Sequence, residues 1–307
     1  MGKKGDAVDG VMLLDKPEGM SSNWALQLTR RLINAQKAGH TGTLDPMATG
    51  LLPLAFGNAT KYSADLLHAD KRYRAVLALG AATDTMDRTG EVTERSDRTV
   101  TREEFEAVLP EFTGEIEQVP PMYSAIKFAG KNLYDLARKG LEVERQPRKV
   151  TVYELRLVRF DGREAEIDVK VSKGTYIRVL ADDIGRRLGA YAHLKSLRRT
   201  EVGPLSIKDA VPFDVIDDKS KTPQQRRAYL KGADFLLQSL PAVQLDAGSA
   251  RRLRNGQRLA VGSRLRDVLA RAYDEAGGLL GVVRIDHRGT LHPHRLIRFE
   301  AAPSEEI

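Results

Sequence analysis

The residues best suited to chemistry lie in one loop, Gly39 to Gly50, with the sequence GHTGTLDPMATG. Threonines and glycines surround a single carboxylate, Asp45, and Pro46 stiffens the backbone directly after it. Such a loop can hold a carboxylate in a fixed pose for catalysis. An Asp before a Pro in a Gly/Thr-rich loop more commonly caps a turn or a helix, and from these residues alone the capping role is favoured.

Several other chemistries lack the residues they need. Neither the loop 39–50 nor the Gly130-Lys131 pair has the G-x-x-x-x-G-K-[ST] pattern of a phosphate-binding loop. Residues 84–91 lack the ligand spacing of a calcium loop, and only His292 and His294 lie close enough in sequence to suggest a metal. The chain has no cysteine, which excludes disulfides and a thiol nucleophile. We therefore expect neither a cofactor nor a metal.

Length and charge limit what surrounds this loop. A chain of 307 residues exceeds the size of most single domains, which favours two domains. The net charge of +7 fits a polyanionic partner, although an ordinary positive surface explains it equally well. The first residues, MGKKGDAVDG, lack the apolar core of a signal peptide, and no apolar run approaches the length of a membrane span. We expect a cytoplasmic protein without a membrane partner.

Periodic patterns predict the elements that position the loop. Val11 to Leu14 reads as a strand, and Ser21, Ser22 or Asn23 can cap a helix after it. That helix is predicted to have its apolar side at Trp24, Leu28, Leu32 and Ile33. Further along the chain the patterns predict a strand over 73–79, a helix over 102–113, strands over 150–160 and 164–172, and a helix over 178–190. Residues 217–232 read as a polar linker, and short glycine-broken strands after Leu240-Pro241 indicate a small β-rich domain.

The segment from Gly39 to Lys61, GHTGTLDPMATGLLPLAFGNATK, closely resembles the signature of the TruB-type tRNA pseudouridine synthases. Further matches follow in the order of that family: Lys16–Ser22, Lys71–Tyr73, Thr83–Gly90, Gln118–Lys127, Ser172–Gly185 and Leu197–Thr200. The segment from Leu240 to Leu296 resembles a PUA-type RNA-binding module through much less specific motifs.

The resemblance implies a fold, a domain organisation and a reaction. The fold is α+β, with a twisted, mixed and largely antiparallel catalytic sheet and a small β-rich PUA-like domain. The catalytic domain would span 1–235, with a basic RNA-gripping insertion at 127–149, and the PUA-like domain 240–300. The implied reaction converts uridine 55 (tRNA numbering) in the T loop to pseudouridine by base flipping. The implied partner is the tRNA T stem-loop, and we expect a monomer without an obligate protein partner.

The resemblance also implies roles for individual residues. Asp45 is the catalytic carboxylate, and Arg178 is expected to hold it through a two-pronged pair. Tyr73 would stack on the flipped base, with Tyr176 as a second pocket aromatic and Leu197 as an apolar wall. Further substrate-site residues are Lys16 and Pro17, which we expect to support the loop, and His40, which either contacts RNA or makes a structural hydrogen bond. The basic residues matched to the RNA-gripping insertion are Lys127, Lys131, Arg138, Lys139 and Arg148, with Arg145 and Lys149 beside them.

Alternatives remain at this point. The basic residues can equally form a solvated charged face. A guide-RNA-dependent pseudouridine synthase would use the same chemistry, although the basic insertion favours a stand-alone enzyme. A protein that binds or folds RNA without catalysis could share the scaffold. The presence of Asp45, Tyr73 and Arg178 together argues against a pure binder, while tRNA folding remains possible as a second function.

Overall fold

A computed structural model of the chain describes residues 5–124, 126–128, 130–137, 139–260 and 264–297, without the side chains of 64, 65, 127, 128, 131 and 132. The strands are β1 (Gly10–Lys16), β2 (Ala38–His40), β3 (Thr49–Phe56), β4 (Lys71–Leu79), β5 (Ala81–Thr83), β6 (Val92–Arg95), β7 (Gly114–Gln118), β8 (Lys127–Phe128), β9 (Lys131–Asn132), β10 (Arg148–Phe160), β11 (Glu164–Val171), β12 (Ala192–Val202), β13 (Leu205–Ser206), β14 (Val211–Pro212), β15 (Ala242–Gln244), β16 (Leu259–Ala260), β17 (Val268–Tyr273), β18 (Leu279–Ile285) and β19 (Thr290–Leu296). The helices are α1 (Ser22–Leu32), α2 (Ser63–Leu67), α3 (Arg102–Val108), α4 (Leu133–Ala137), α5 (Ile177–Arg187), α6 (Phe213–Asp217), α7 (Pro223–Arg227) and α8 (Ala247–Arg254). Each of these helices is too short or too polar to cross a membrane.

A large mixed sheet forms the main body of the molecule. Its strand order is β14-β1-β3-β12-β4-β11-β10-β7, with β13 beside β12 and β2 beside β3. The β1–β14 and β3–β12 pairs are parallel, and the other pairs of this sheet are antiparallel. The expected α+β fold with a largely antiparallel sheet is confirmed.

Strand β4, near the middle of this sheet, shows why the alternating pattern predicts it correctly. Tyr73, Ala75 and Leu77 point into the core, and the residues between them are more exposed. Because successive side chains of a strand point to opposite faces, this alternation buries one face only. On the other face Arg72 forms an ion pair with the buried carboxylate of Asp168 at 2.7 Å.

Helix α5 covers the inner face of the sheet. Ile177, Leu180, Ala181 and Ile184 are buried at the i, i+3, i+4, i+7 spacing of one helix face. The predicted helix over 178–190 is therefore confirmed, although it ends at Arg187. The predicted helix over 102–113 is shorter, because α3 ends at Val108 and continues as a 3₁₀ turn over Leu109–Phe112.

Helix α1 buries a different face from the one its largest side chains suggest. The prediction that Trp24 lies on the apolar side is wrong, since its side chain is 59% exposed. The buried stripe starts at Ser22, Ala25 and Leu26 and runs on to Thr29, and Ile33 is buried beyond the helix end. Ala25 and Leu26 pack in one cluster with Leu14 of β1 and Leu52 of β3, and Ser22 hydrogen-bonds Leu44 of the loop that contains Asp45.

The segment predicted as a linker is packed and partly helical. Thr222 and Gln225 form a reciprocal capping box that starts α7. Arg226, 5% exposed, donates to the carbonyls of Ile216 and Asp218 at 2.7 Å each. The polar sequence misled the prediction because a buried arginine here satisfies backbone carbonyls instead of facing solvent.

A second sheet of order β15-β17-β18-β19-β16 follows in the C-terminal part of the chain. It has its own buried cluster, which includes Leu253, Ala270 and Ile285. Val282 instead packs into a cluster with residues of β1 and β3. The Tyr62 hydroxyl donates to the Arg295 carbonyl at 3.1 Å, so polar and apolar contacts join the two sheets.

Candidate active site

Asp45 lies in the turn between the hairpin strands β2 and β3, in a segment we call the Asp45 loop (residues 41–48). The Ser22 hydroxyl, at the start of α1, accepts from the Leu44 N–H at 2.8 Å and donates to the Leu44 carbonyl at 3.1 Å. The Gly19 N–H donates to the Pro46 carbonyl at 2.8 Å. Hydrogen bonds to the backbone of Leu44 and Pro46 thus hold the residues on both sides of Asp45, and they fix the position of its carboxylate.

Lys16 supports the Asp45 loop from below. Its side chain is fully buried, and the ammonium donates to the carbonyls of Met20 at 2.6 Å, Pro17 at 2.9 Å and Pro46 at 3.4 Å. Burial lowers the pKa of Lys16 to about 8, while the negative charge of Asp45 opposes this fall. Through these hydrogen bonds Lys16 stabilises the Asp45 loop.

Arg199 is a second support, and the sequence analysis assigned it no role. Its guanidinium is 1% exposed and donates to the carbonyls of Leu51 at 2.8 Å, Gly42 at 3.2 Å and Thr43 at 3.4 Å. It also lies directly opposite Tyr73 in the β12–β4 register, where the phenol acts electrostatically on the guanidinium. The available signal was its place in the matched motif Leu197–Thr200.

The close approach of β12 to the end of the Asp45 loop requires glycine at position 50. Gly50 has a φ of +103°, and a Cβ there would lie 2.3 Å from the Arg199 carbonyl oxygen. The two residues are directly paired in the parallel β3–β12 register. Any larger residue would push the loop away from the strand that supports it.

Arg178, in the first turn of α5, pairs with Asp45. Its Nε lies 2.9 Å from Asp45 Oδ2, and its side chain is 4% exposed. Its other two nitrogens donate to backbone carbonyls, of Thr85 at 3.1 Å and Tyr123 at 2.8 Å. The prediction of a two-pronged pair is therefore wrong. Nε is the nitrogen that contacts Asp45, because both Nη atoms are used in the hydrogen bonds that fix the guanidinium.

A second carboxylate, Asp87, stands behind Arg178. Its Oδ2 lies 3.8 Å from Arg178 Nε, and its Oδ1 accepts from the Thr89 N–H at 2.9 Å and the Thr85 hydroxyl at 3.0 Å. It is 4% exposed. The sequence analysis quoted it only as part of the motif Thr83–Gly90, where a carboxylate among hydroxyl residues was the signal.

The charges around Asp45 oppose one another. Burial raises the pKa of its carboxyl above the usual value, and the nearby charge of Asp87 adds to this rise. Arg178 and Lys16 act in the other direction and favour the ionised form. The Asp45 side chain is still 37% exposed, so a substrate can reach it.

Tyr73, Tyr176 and Leu197 are the residues expected to form the apolar walls of the site. Tyr73 is 9% and Leu197 7% exposed, and both belong to the buried cluster that contains Leu44 of the Asp45 loop. Tyr176 is half-buried directly before α5, and its backbone N–H donates to the Gln118 side chain at 3.0 Å. Burial raises the pKa of the Tyr176 phenol. The charges of Asp45 and Arg178 act on this phenol, so Tyr176 lies close to both of them.

His40 and Pro17 flank this arrangement. Pro17 is half-buried, and its carbonyl accepts one of the Lys16 hydrogen bonds. His40 is also half-buried, and burial lowers the pKa of its imidazole. Within the described residues its Nδ1 has no hydrogen-bond partner.

The basic segment is described only in part. Arg138 and the side chains of Lys127 and Lys131 lie outside the described residues. Lys139 and Arg148 are exposed, whereas Arg145 donates to the Pro120 carbonyl at 3.1 Å and Lys149 pairs with Glu115 at 2.8 Å. Arg148 also acts electrostatically on the phenol of Tyr176, which places it near the pocket. Across the residues that the structure covers, the His, Asp and Glu side chains do not gather into a group suited to a metal ion.

Family models match almost the whole chain. The N-terminal domain model of the TruB family pseudouridylate synthases matches residues 30–177. A tRNA pseudouridylate synthase B C-terminal domain model matches residues 178–238, and a model for the C-terminal part of pseudouridine synthase II TruB matches residues 241–297.

Curated relatives align with the chain over nearly its full length. A tRNA pseudouridine synthase B of Methylobacillus flagellatus is 49% identical over 95% of this chain and 96% of its own length. One of Chromohalobacter salexigens is 48% identical over 99% of both chains.

Solved structures share the fold at lower identity. A Cbf5-Nop10-Gar1 complex contains a chain with a TM-score of 0.69 and 26% identity, covering 94% of this chain and 85% of that one. An H/ACA ribonucleoprotein bound to a substrate RNA has a TM-score of 0.70 at 24% identity, covering 95% of this chain and 86% of that one, and shows the fold alone.

Proposed function

Because the chain belongs to the TruB family of pseudouridylate synthases, we propose that it acts on uridine 55 (tRNA numbering) in the T loop of tRNA. The isomerisation of uridine to pseudouridine in tRNA follows from relatives about half identical over nearly the whole chain. The position in the T loop and the roles of single residues are our proposal.

The observation that best supports this proposal is the fixed carboxylate at an accessible site. Asp45 lies 2.9 Å from a buried guanidinium that favours its ionised form, and 37% of its side chain is open to a substrate. Lys16, Arg199 and Ser22 hold the backbone around it through hydrogen bonds to Pro46, Thr43 and Leu44. Preorganisation of this kind removes the cost of arranging the group during the reaction.

The reaction requires one carboxylate near the sugar and the base. The N1–C1′ bond breaks with its electron pair left on the uracil, the base turns, and C5 bonds to C1′. The C5 proton then leaves, and N1 gains a proton, so no atom is gained or lost overall. An ionised Asp45 can act as a nucleophile or as a base in this sequence, and both roles depend on the ionised form.

A uridine in a folded loop must leave its stack before Asp45 can reach it. Flipping a base costs a few kcal/mol, and stacking on an aromatic ring returns about 1–3 kcal/mol. We assign this stacking to Tyr73, which lies on β4 directly opposite the buried Arg199 of β12. Tyr176 and Leu197 complete the walls of the base pocket, and His40 stands at its edge.

Two surfaces outside the pocket would hold the rest of the tRNA. Lys139 and Arg148 are exposed cations, and Arg148 is close enough to Tyr176 to act on its phenol. We assign to both the neutralisation of phosphates of the T stem-loop. We assign the same role to Lys127, Lys131 and Arg138 by the family match alone. The C-terminal region, 240–300, would be a PUA-like RNA-binding domain, with 1–235 as the catalytic domain.

A stand-alone enzyme is favoured over a guide-dependent one. The relatives at 48–50% identity are tRNA pseudouridine synthases B, whereas the chains named in H/ACA and Cbf5 complexes are 24–26% identical. A direct test is to incubate the purified chain with an unmodified tRNA transcript, without guide RNA, and to map pseudouridine at single-nucleotide resolution. Pseudouridine at position 55 alone is the expected result. Modification elsewhere, or a requirement for added guide RNA, would refute the proposal.

A further inference from the structure

The most exposed large hydrophobic side chain among the described residues is Trp24, at 59%. It is also the only tryptophan of the chain. Its position in the first turn of α1 puts it opposite the buried stripe of Ala25, Leu26 and Thr29, so packing of the helix does not require it. Single exposed apolar residues are common on proteins, and exposure by itself assigns no role.

The surroundings of Trp24 connect it to the active site. It lines a surface depression of about 480 Å³ together with Glu18, Gly19, Met20, Ser21 and Pro46. Pro46 follows Asp45 directly, and the Gly19 N–H donates to the Pro46 carbonyl at 2.8 Å. The depression therefore continues the surface that the substrate must contact when its uridine reaches Asp45.

The chemistry of this depression fits a flat, neutral ring. Its walls are an indole, a thioether, a proline ring and short backbone segments. The one carboxylate on its rim, Glu18, is paired with Arg88. Every nucleobase has a π-face that stacks on an aromatic side chain regardless of its sequence identity. A loop opened to release one base leaves its neighbours unstacked, and their ring faces are available.

We infer that Trp24 is a stacking platform for an unpaired nucleobase of the tRNA that flanks the target uridine. This inference rests on the proposed function, because it requires an RNA loop opened at Asp45. Trp24 is a binding residue in this account. We expect its replacement to weaken capture of the RNA.

The test is a cycle that combines protein variants with modified RNA. Trp24→Ala, Trp24→Leu and Trp24→Phe are compared in binding to a tRNA transcript, and to transcripts with an abasic nucleotide one or two positions on either side of the target. Loss of a base–aromatic stack weakens binding on the order of 5- to 150-fold. We expect this loss for Ala and for Leu, which keeps apolar area without a flat ring, and near-wild-type binding for Phe.

The decisive result is the coupling between protein and RNA. For one abasic position the wild type and Trp24→Ala should bind equally well, because the stack is already absent. The emission of Trp24, the only indole, should change on binding of intact RNA and not on binding of that abasic RNA. Thermal melting of each variant is the control for its fold.

Several outcomes overturn the inference. Unchanged affinity of Trp24→Ala, or a loss that persists with every abasic RNA, excludes stacking on a flanking base. A change in self-association of Trp24→Ala without a change in RNA affinity points to a second copy of the chain on this surface. The proposed function fails separately, if the wild type forms no pseudouridine in the T loop.

Discussion

The guanidinium of Arg178 meets Asp45 through Nε alone, at 2.9 Å. Its Nη atoms donate to the carbonyls of Thr85 and Tyr123. Because these two hydrogen bonds do not involve Asp45, they hold the guanidinium in place whether or not a substrate contacts the carboxylate. Asp87 lies 3.8 Å from the same Nε, so two carboxylates of the site share one cation. The protonation of Asp45 therefore depends on both neighbours, in opposite directions.

The first prediction concerns the carboxylate itself. Asp45→Asn keeps the shape of the side chain and removes its charge, and it should abolish pseudouridine formation while tRNA binding persists. Single-turnover assays and filter binding with the same transcript measure the two properties. Turnover within about tenfold of the wild type, equivalent to about 1.4 kcal/mol, would contradict the mechanism.

The second prediction is the direction of a pH shift. An Asp45 that works ionised is active above its pKa and loses activity as the pH falls through it, and burial already raises that pKa. Arg178→Gln removes the positive charge that opposes the rise, so the acid limb of the single-turnover rate should move to higher pH. Arg178→Lys, which keeps the charge, should move it less. A limb that does not move would show that another group controls the acid side.

The third prediction is a shift of the acid limb in the opposite direction, on replacement of Asp87. Asp87→Asn removes the negative charge that helps to raise the pKa of Asp45. The amide oxygen can still accept from Thr89 and Thr85, so the local turn should persist. We expect the acid limb to move to lower pH. The maximal rate should also fall, because Arg178 loses one of its two carboxylate neighbours. The pH profile separates this from a structural effect, which would lower the rate without moving the limb in that direction.

A fourth prediction concerns Arg199, which lies beneath the Asp45 loop. Lysine cannot reach the carbonyls of Leu51, Gly42 and Thr43 together, and an unsatisfied buried polar group costs about 1–3 kcal/mol. Arg199→Lys should lower both the melting temperature and the single-turnover rate at saturating tRNA. Affinity for tRNA should change much less, because Arg199 is buried. A variant that loses affinity and keeps its rate would mean that Arg199 acts on the RNA.

The fifth prediction distinguishes phosphate contacts from a solvated charged face. Each lost phosphate contact reduces the slope of log affinity against log salt by roughly 0.7–0.9. A Lys139→Gln/Arg148→Gln variant should show a shallower slope, and its affinity should approach that of the wild type as salt increases. A matched double variant, Arg102→Gln/Lys219→Gln, removes two exposed cations elsewhere and should keep the slope. Equal slopes for both variants would favour the solvated face.

Local sequence patterns determined the elements with a strong period. The alternation in Tyr73–Leu79 and the two strands around Asp161-Gly162 are present as predicted, because burial of one face imposes a period that can be read directly from side-chain types. The motif around Asp45 also predicted its place in a loop. The predictions for Trp24 and for residues 217–232 were wrong. Side-chain hydrophobicity does not tell which face of α1 packs on the sheet, and a polar sequence does not show that Arg226 is buried on backbone carbonyls.

Only the tertiary structure decided how the site is held together. Arg199 reaches Thr43 across 156 residues of chain, and Arg178 reaches the Thr85 carbonyl across 93. The sequence by itself identified Asp45 and Arg178 as partners through a motif, but it did not assign the second cation or the second carboxylate. The physical reason is that a local pattern reports which face of an element is buried, whereas these hydrogen bonds depend on strand order and register. Strands β3, β12 and β4 have to lie side by side before Arg199 can lie next to both the Asp45 loop and Tyr73.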